Sequence, residues 1–218
     1  AVAHEGDAAG AIVDTVAGEG VDLLIMTTHG QTGVRRAIFG SVTERVLHSV
    51  ACPVLVTYGK EPIRRILVTL DGSELGERAL APALAIAQAL DARIILLRIN
   101  ELRPLNSLDA AASWDWDVQD SERRLAGEMR QAAEAYLREV ALRHHLSPAA
   151  VQAIVLDGSP VDRIQEFAQL HGIDLIAMST HGRTGLRRWL YGSVTDKVMR
   201  GAERSMLIIR PPLDELVA

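Results

Sequence analysis

The chain has 218 residues, 48% of them apolar and only 4% aromatic, with a formal net charge of −5. That mild acidity excludes the basic footprint of a nucleic-acid binder, no apolar run approaches the roughly 20 residues of a membrane span, and no signal-peptide pattern opens the chain. A single cysteine, Cys52, excludes an internal disulfide framework and makes a reducing cytoplasm the expected setting. The abundance of Ala, Leu, Ile and Val suits an α/β protein of buried strands under covering helices.

Taken in chain order, the first elements are a helix near Ala8 to Ala17, a strand from Val21 to Thr27, a Gly-rich loop, a helix from Ser41 to Ser49 and a strand from Val54 to Thr57. Cys52 stands just before that strand and reads as a small core filler rather than a reactive thiol. Tyr58 to Arg64 is a linker. Arg65 to Leu70 is a short apolar run rich in β-branched residues, hence a buried strand. Asp71-Gly-Ser-Glu74 then starts a helix whose Leu75, Ala79, Ala83, Ile86 and Leu90 share one face. Ala92 to Ile99 is the next strand, Asn100 to Asp120 a long loop carrying Trp114 and Trp116, and Asp120 to His145 a helix striped by Leu125, Met129, Ala133, Tyr136 and Val140. A strand from Val151 to Leu156 leads to Gly158-Ser159-Pro160, where Ser159 caps a helix and Pro160 takes its first position. Gly172 supplies a left-handed stop, Ile173 to Ser179 is a strand, Thr180 to Gly192 a second Gly-rich loop, Ser193 to Gly201 a helix and Ser205 to Arg210 a last strand.

The alternation from Arg65 onward predicts a five-stranded parallel, doubly wound sheet of order 3-2-1-4-5. The chain also repeats itself. Met26-Thr-Thr-His-Gly-Gln-Thr-Gly-Val-Arg-Arg36 returns as Met178-Ser-Thr-His-Gly-Arg-Thr-Gly-Leu-Arg-Arg188, and both copies run on to Gly-Ser-Val-Thr, at Gly40 and Gly192. Residues 1–60 therefore read as the second half of a repeat and 61–213 as a complete one, with the first copy's opening half expected upstream of Ala1. A half-repeat cannot enclose a core alone, so it is expected to pack on the second copy, on another chain or on upstream residues.

Ligands of doubly wound sheets sit beyond the carboxyl ends of the strands, where strand order reverses. The first and fourth strands of the complete copy meet there. One ends at Asp71; the other ends at Ser179 and enters the Gly-rich loop. Gly182, Gly185 and Gly192 allow close backbone approach, and the helix opened by Ser193 and Thr195 offers unpaired N–H groups and a positive dipole end to an anion. Neither G-x-x-x-x-G-K-[ST] nor G-x-G-x-x-G is present. The residues thus argue for phosphate without choosing the rest of the ligand.

Ile66-Leu-Val-Thr-Leu-Asp-Gly-Ser-Glu74, then Asp174-Leu-Ile-Ala-Met-Ser-Thr-His-Gly182, nine residues, and Gly192-Ser193 resemble the universal stress protein family, over Ile63 to Pro212 as a full unit and Gly6 to Tyr58 as half of another. The ATP-binding branch of that family carries G-x-x-G, nine residues, then G-[ST]. Gly182, Gly192 and Ser193 match; Ser179 replaces the first glycine, and Thr27 does so in the other copy. The resemblance implies ATP as ligand, with Mg²⁺ or Mn²⁺ on the phosphates. It implies that Asp71 holds the ribose or adenine side, that Thr69 and Leu70 line it, and that Ile99 touches adenine. Met178, Ser179, His181 and Gly182 would flank ribose and α-phosphate, and Gly192, Ser193, Val194 and Thr195 the outer phosphates. The partial copy offers Thr27, Gly30, Gly40, Ser41 and Thr43 but no counterpart of Asp71, so one complete site is expected. The resemblance also implies pairing of units through their last strands, here Val54 to Thr57 against Met206 to Ile209 within one chain, or between copies in a homo-oligomer.

Simpler roles stand beside these. Asp71 with Glu74, Ser193 with Asp196 and Ser41 with Glu44 all fit capping boxes. His181 reads as a loop-ordering residue, since no carboxylate is nominated to orient it as a base. Arg187 and Arg188 are either phosphate clamps or a solvated turn, and His144-His145 suits a helix end. No nucleophile–base set or metal-ligand spacing stands out. The expected function is an ATP-binding stress sensor or regulator with at most slow hydrolysis. The rivals are a scaffold of the same fold that binds no nucleotide, and a true nucleotide hydrolase or adenylyl-transfer enzyme.

Overall fold

The computed structural model describes residues 6–27, 40–59, 61–101, 116–147, 151–180, 193–201 and 203–210. The elements are α1 (Ala8–Glu19), β1 (Leu24–Thr27), α2 (Ser41–Ser49), β2 (Val54–Thr57), β3 (Arg65–Thr69), α3 (Glu74–Glu77), α4 (Leu80–Leu90), β4 (Arg93–Asn100), α5 (Trp116–Arg143), β5 (Val151–Asp157), α6 (Pro160–Leu170), β6 (Leu175–Ser179), α7 (Ser193–Gly201) and β7 (Ser205–Ile209).

The sheet has seven strands, not five, in the order β1-β2-β7-β6-β3-β4-β5. Strands of the first copy extend it beyond β7. Pairing is parallel except between β2 and β7, where Val54, Leu55 and Val56 lie antiparallel to Ile208, Leu207 and Met206. Antiparallel pairing is what two similarly built halves require if their last strands meet edge to edge in one sheet. One continuous ladder thus joins the half-repeat to the complete repeat.

Strand alternation sends side chains to two faces. On one face Leu67, Leu97, Ile176, Met178, Met206, Val54 and Val56 pack beneath α1, α2, α6 and α7. On the other, Ile66, Val68, Leu96, Ala177, Leu207 and Leu55 pack beneath α4 and α5. Both cores cross the β2–β7 junction. Arg210, only 7% exposed, reinforces it by donating to the carbonyls of Leu47 and His48 at the end of α2, where the helix dipole favours a cation. Beneath the same helix end, burial and then the nearby Arg210 charge hold the His48 imidazole below its usual pKa. Beside β2, Cys52 is half-buried against the first core and burial pushes its thiol pKa up, as a space-filling role requires.

Several expected boundaries shift. The helix after Asp71 is two helices, α3 and α4, and Leu90 is 50% exposed rather than on a buried face. Residues 116–120 are helical, so α5 begins within the stretch expected to be loop. On α5, Leu125 is exposed, while Leu137, absent from the expected stripe, is fully buried with Ala133 and Val140. Capping differs too. The N-cap of α2 is Gly40 rather than Ser41, and Ser159 caps α6 by position without a side-chain hydrogen bond.

Because both cores run through the β2–β7 junction, damage there should act on the whole molecule. Leu207→Ala is expected to cost about 2–5 kcal/mol and to lower one cooperative urea transition seen alike by circular dichroism and limited proteolysis. Two separated transitions would contradict a shared core.

Candidate functional site

The chain leaves β3 toward the face covered by α4 and α5, and leaves the adjacent β6 toward the face covered by α7. The carboxyl ends of β3, β4 and β6 are thereby left open between two walls. A cavity of about 550 Å³ occupies this gap, within the range of roughly 300–1,000 Å³ typical of small-molecule sites.

Nine of the expected residues line it: Thr69, Leu70, Asp71, Ile99, Met178, Ser179, Ser193, Val194 and Thr195. The end of β3 and the start of α7, far apart in sequence, are opposite walls of one space. His181, Gly182, Gly185 and Gly192 lie outside the described residues, as do Arg187, Arg188, Trp114 and, in the partial copy, Gly30.

The Asp71 wall is built by a short relay of hydrogen bonds. Ser73, not Asp71, is the N-cap of α3, its Oγ accepting from the Gly76 amide at 3.0 Å. Asp71 Oδ1 in turn accepts from the Ser73 amide at 2.9 Å and from its hydroxyl at 2.6 Å. Asp71 is therefore an Asx-turn residue at the cavity edge. Gly72 sits at φ +86°, and a Cβ there would meet Arg98 Nη1 at 2.8 Å. The Arg98 guanidinium also lies over the Tyr136 ring, 4.7 Å from its centroid, which anchors this turn to α5 through a cation–π contact.

The opposite wall is made of helix starts. Ser193, Val194 and Thr195 open α7, and Pro160 opens α6. First-turn N–H groups lack intrahelical partners, and two positive dipole ends converge on the cavity. Thr195 Oγ1 donates to the Ser179 carbonyl at 2.9 Å and ties α7 to the end of β6. Thr195 is thus a stitch in the wall. Ser179 is not among the residues with positive φ, so its backbone does not need the glycine that the family motif carries there.

The sequence reading did not nominate Gly76, Leu97, Arg98, Asn100, Glu101, Met129, Ala132, Pro160 or Ile164, which also line the cavity. Arg98 interrupts the apolar run from Ile94 to Ile99 of β4, which was the one available signal. Met129 and Ala132 are brought in by tertiary packing of α5. Arg130 beside them pairs with Asp157, whose other oxygen accepts from Asn100 Nδ2 at 3.2 Å. This clip holds α5 over the ends of β4 and β5. Among the described residues no group of three or more His, Cys, Asp or Glu side chains is placed to hold a metal.

A family model described as the universal stress protein family matches residues 1–57 and 62–210. The chain belongs to the universal stress protein family. Universal stress protein MJ0531 of Methanocaldococcus jannaschii is 27% identical over 161 residues, covering 74% of this chain and 90% of that protein. Universal stress protein Rv2005c of Mycobacterium tuberculosis is 24% identical over 200 residues, and the match spans 87% of this chain but 62% of that longer protein. A universal stress protein from Archaeoglobus fulgidus superposes with a TM-score of 0.61 at 19% identity, covering 96% of this chain and 67% of that one; the likeness is one of fold. Strands from both matched stretches share one sheet.

The Asp71 turn depends on the missing side chain of Gly76. A Cβ there would lie 2.5 Å from Asp71 Oδ1, so Gly76→Ala should displace the carboxylate and destabilise by about 1–3 kcal/mol. Gly127→Ala, mid-helix in α5 with open space around it, should instead stabilise by about 0.5–1 kcal/mol. Urea denaturation of both variants reads the contrast.

Proposed function

We propose that this universal stress protein binds an adenine nucleotide, ATP, in the cavity between Asp71 and α7 and acts as a stress-response sensor or regulator. The observation that carries the reading is polarity. One wall presents the Asp71 carboxylate, which accepts hydrogen bonds from sugar hydroxyls. The other presents two helix starts, which attract phosphate. Between them Thr69, Leu97, Ile99, Met178 and Ile164 offer apolar surface to a flat base. In this reading adenine lies near Ile99, the ribose near Asp71, and the triphosphate along Ser193 to Thr195, with His181, Gly182, Gly185 and Gly192 completing the phosphate loop. Mg²⁺ or Mn²⁺ would be carried by the phosphates themselves.

Turnover is proposed to be slow at most. Phosphoryl transfer is driven by positioning and charge, and among the described residues the cavity lining presents no nucleophile with an oriented base. Regulation would work by shifting a population. Ligand at the start of α7 bears on a helix whose Arg200 approaches Glu44 of α2 at 3.9 Å, so occupancy can reach the half-repeat. Cytoplasmic location and association with a second copy belong to the same proposal.

Calorimetric titration with ATP and Mg²⁺ is the test. Asp71→Ala is expected to weaken binding by about tenfold or more, the size of a lost charge-assisted hydrogen bond. Ala132→Trp, at an exposed position on the cavity rim, is expected to abolish it with the melting temperature unchanged. Wild-type affinity in both variants would remove the assignment, and saturable binding of some other metabolite instead of ATP would favour the nucleotide-free scaffold.

A further inference from the structure

We propose that Ser179 contacts the ligand and makes this site read the ribose hydroxyls, an inference that rests on the nucleotide reading above. Ser179 stands where the family motif has glycine, and three observations give its side chain a task. The Ser179 carbonyl is already taken by Thr195 Oγ1 at 2.9 Å. Its hydroxyl, by contrast, is buried without a hydrogen-bond partner among the described residues. The residue itself lines the cavity. A sealed, unpaired hydroxyl is a cost that a native fold seldom keeps without use. Serine has three staggered χ1 positions, so the proposed contact requires that ligand binding select one in which Oγ faces the space the residue borders.

Alternation fixes which end of the ligand it would meet. Leu175 and Ala177 on β6 pack into the core beneath α4 and α5, so Ser179 projects to that same face, beside the end of β3 and the Asp71 turn. It lies away from the face of α6 and α7, whose helix starts suit phosphate. A carboxylate and a hydroxyl on one wall form a donor–acceptor pair suited to a vicinal diol. The serine thereby supplies a contact that glycine at this position lacks.

Titration of wild type, Ser179→Ala and Ser179→Gly with ATP and with 2′,3′-dideoxy-ATP tests the inference. Wild type should prefer ATP. Both variants should bind ATP about tenfold more weakly and dideoxy-ATP almost as wild type does, while the ligand-free Ser179→Ala protein melts no lower than wild type because an unpaired hydroxyl has gone. Variant affinity for ATP that is unchanged or tighter would overturn it, and so would an equal loss for both nucleotides or a lowered ligand-free melt, which mark a packing role. Wild type that binds neither nucleotide overturns the nucleotide reading together with this one; wild type that binds ATP and is sensitive to Asp71→Ala but not to Ser179→Ala overturns this one alone.

Discussion

Adjacent parallel strands β3 and β6 dispatch the chain to opposite faces of the sheet, and no helix can cover both strand ends at once. The gap between them is therefore a consequence of topology, and the cavity exists before any particular side chain is chosen. Everything else at the site decorates that gap. Backbone N–H groups at the starts of α6 and α7 supply fixed partial positive charge on one side. The Asp71–Ser73–Gly76 relay supplies a held carboxylate on the other. Helix starts are rigid and already oriented, so they offer an anion stabilisation without the entropy cost of ordering long basic side chains.

The same economy explains the half-repeat. β1 and β2 with α1 and α2 are too small to close a core, and the antiparallel β2–β7 ladder lets them borrow one. Apolar residues of both copies interleave on both faces of the sheet. Polar contacts cross the junction as well. Arg210 serves the end of α2, and the Tyr58 amide donates to Ser205 Oγ at 3.1 Å. The outer strand is less protected. Ile25 of β1, on the face covered elsewhere by α4 and α5, is 59% exposed, whereas the equivalent strand β6 is buried between β3 and β7.

Much of the fold was legible because parallel strands buried on both faces write themselves as continuous apolar runs. α2, β2 and α7 fall where expected. What failed was local chemistry that competes with a pattern. Asp71-Gly-Ser-Glu74 contains two good capping residues, and Ser73 holds the cap because Asp71 is occupied with Ser73 itself. The α5 stripe was misplaced at Leu125 because periodicity gives a face but not where the sheet beneath it ends. At the site, residues at strand ends and helix starts were readable from the repeat and from topology. Met129 and Ala132 were not, since their place depends on how α5 lies across β4 and β5, and that follows from buried Ala133, Leu137 and Val140 together with the Arg130–Asp157–Asn100 clip, all acting across long sequence separations.

If the proposed nucleotide is held between the two walls, protection must appear on both. Hydrogen–deuterium exchange with and without ATP and Mg²⁺ measures this most directly. Exchange should slow in segments 66–76, 97–101, 176–180 and 193–199 together, with little change in α4 or the middle of β5. Protection confined to one wall, or centred on α1 and β1, would contradict it.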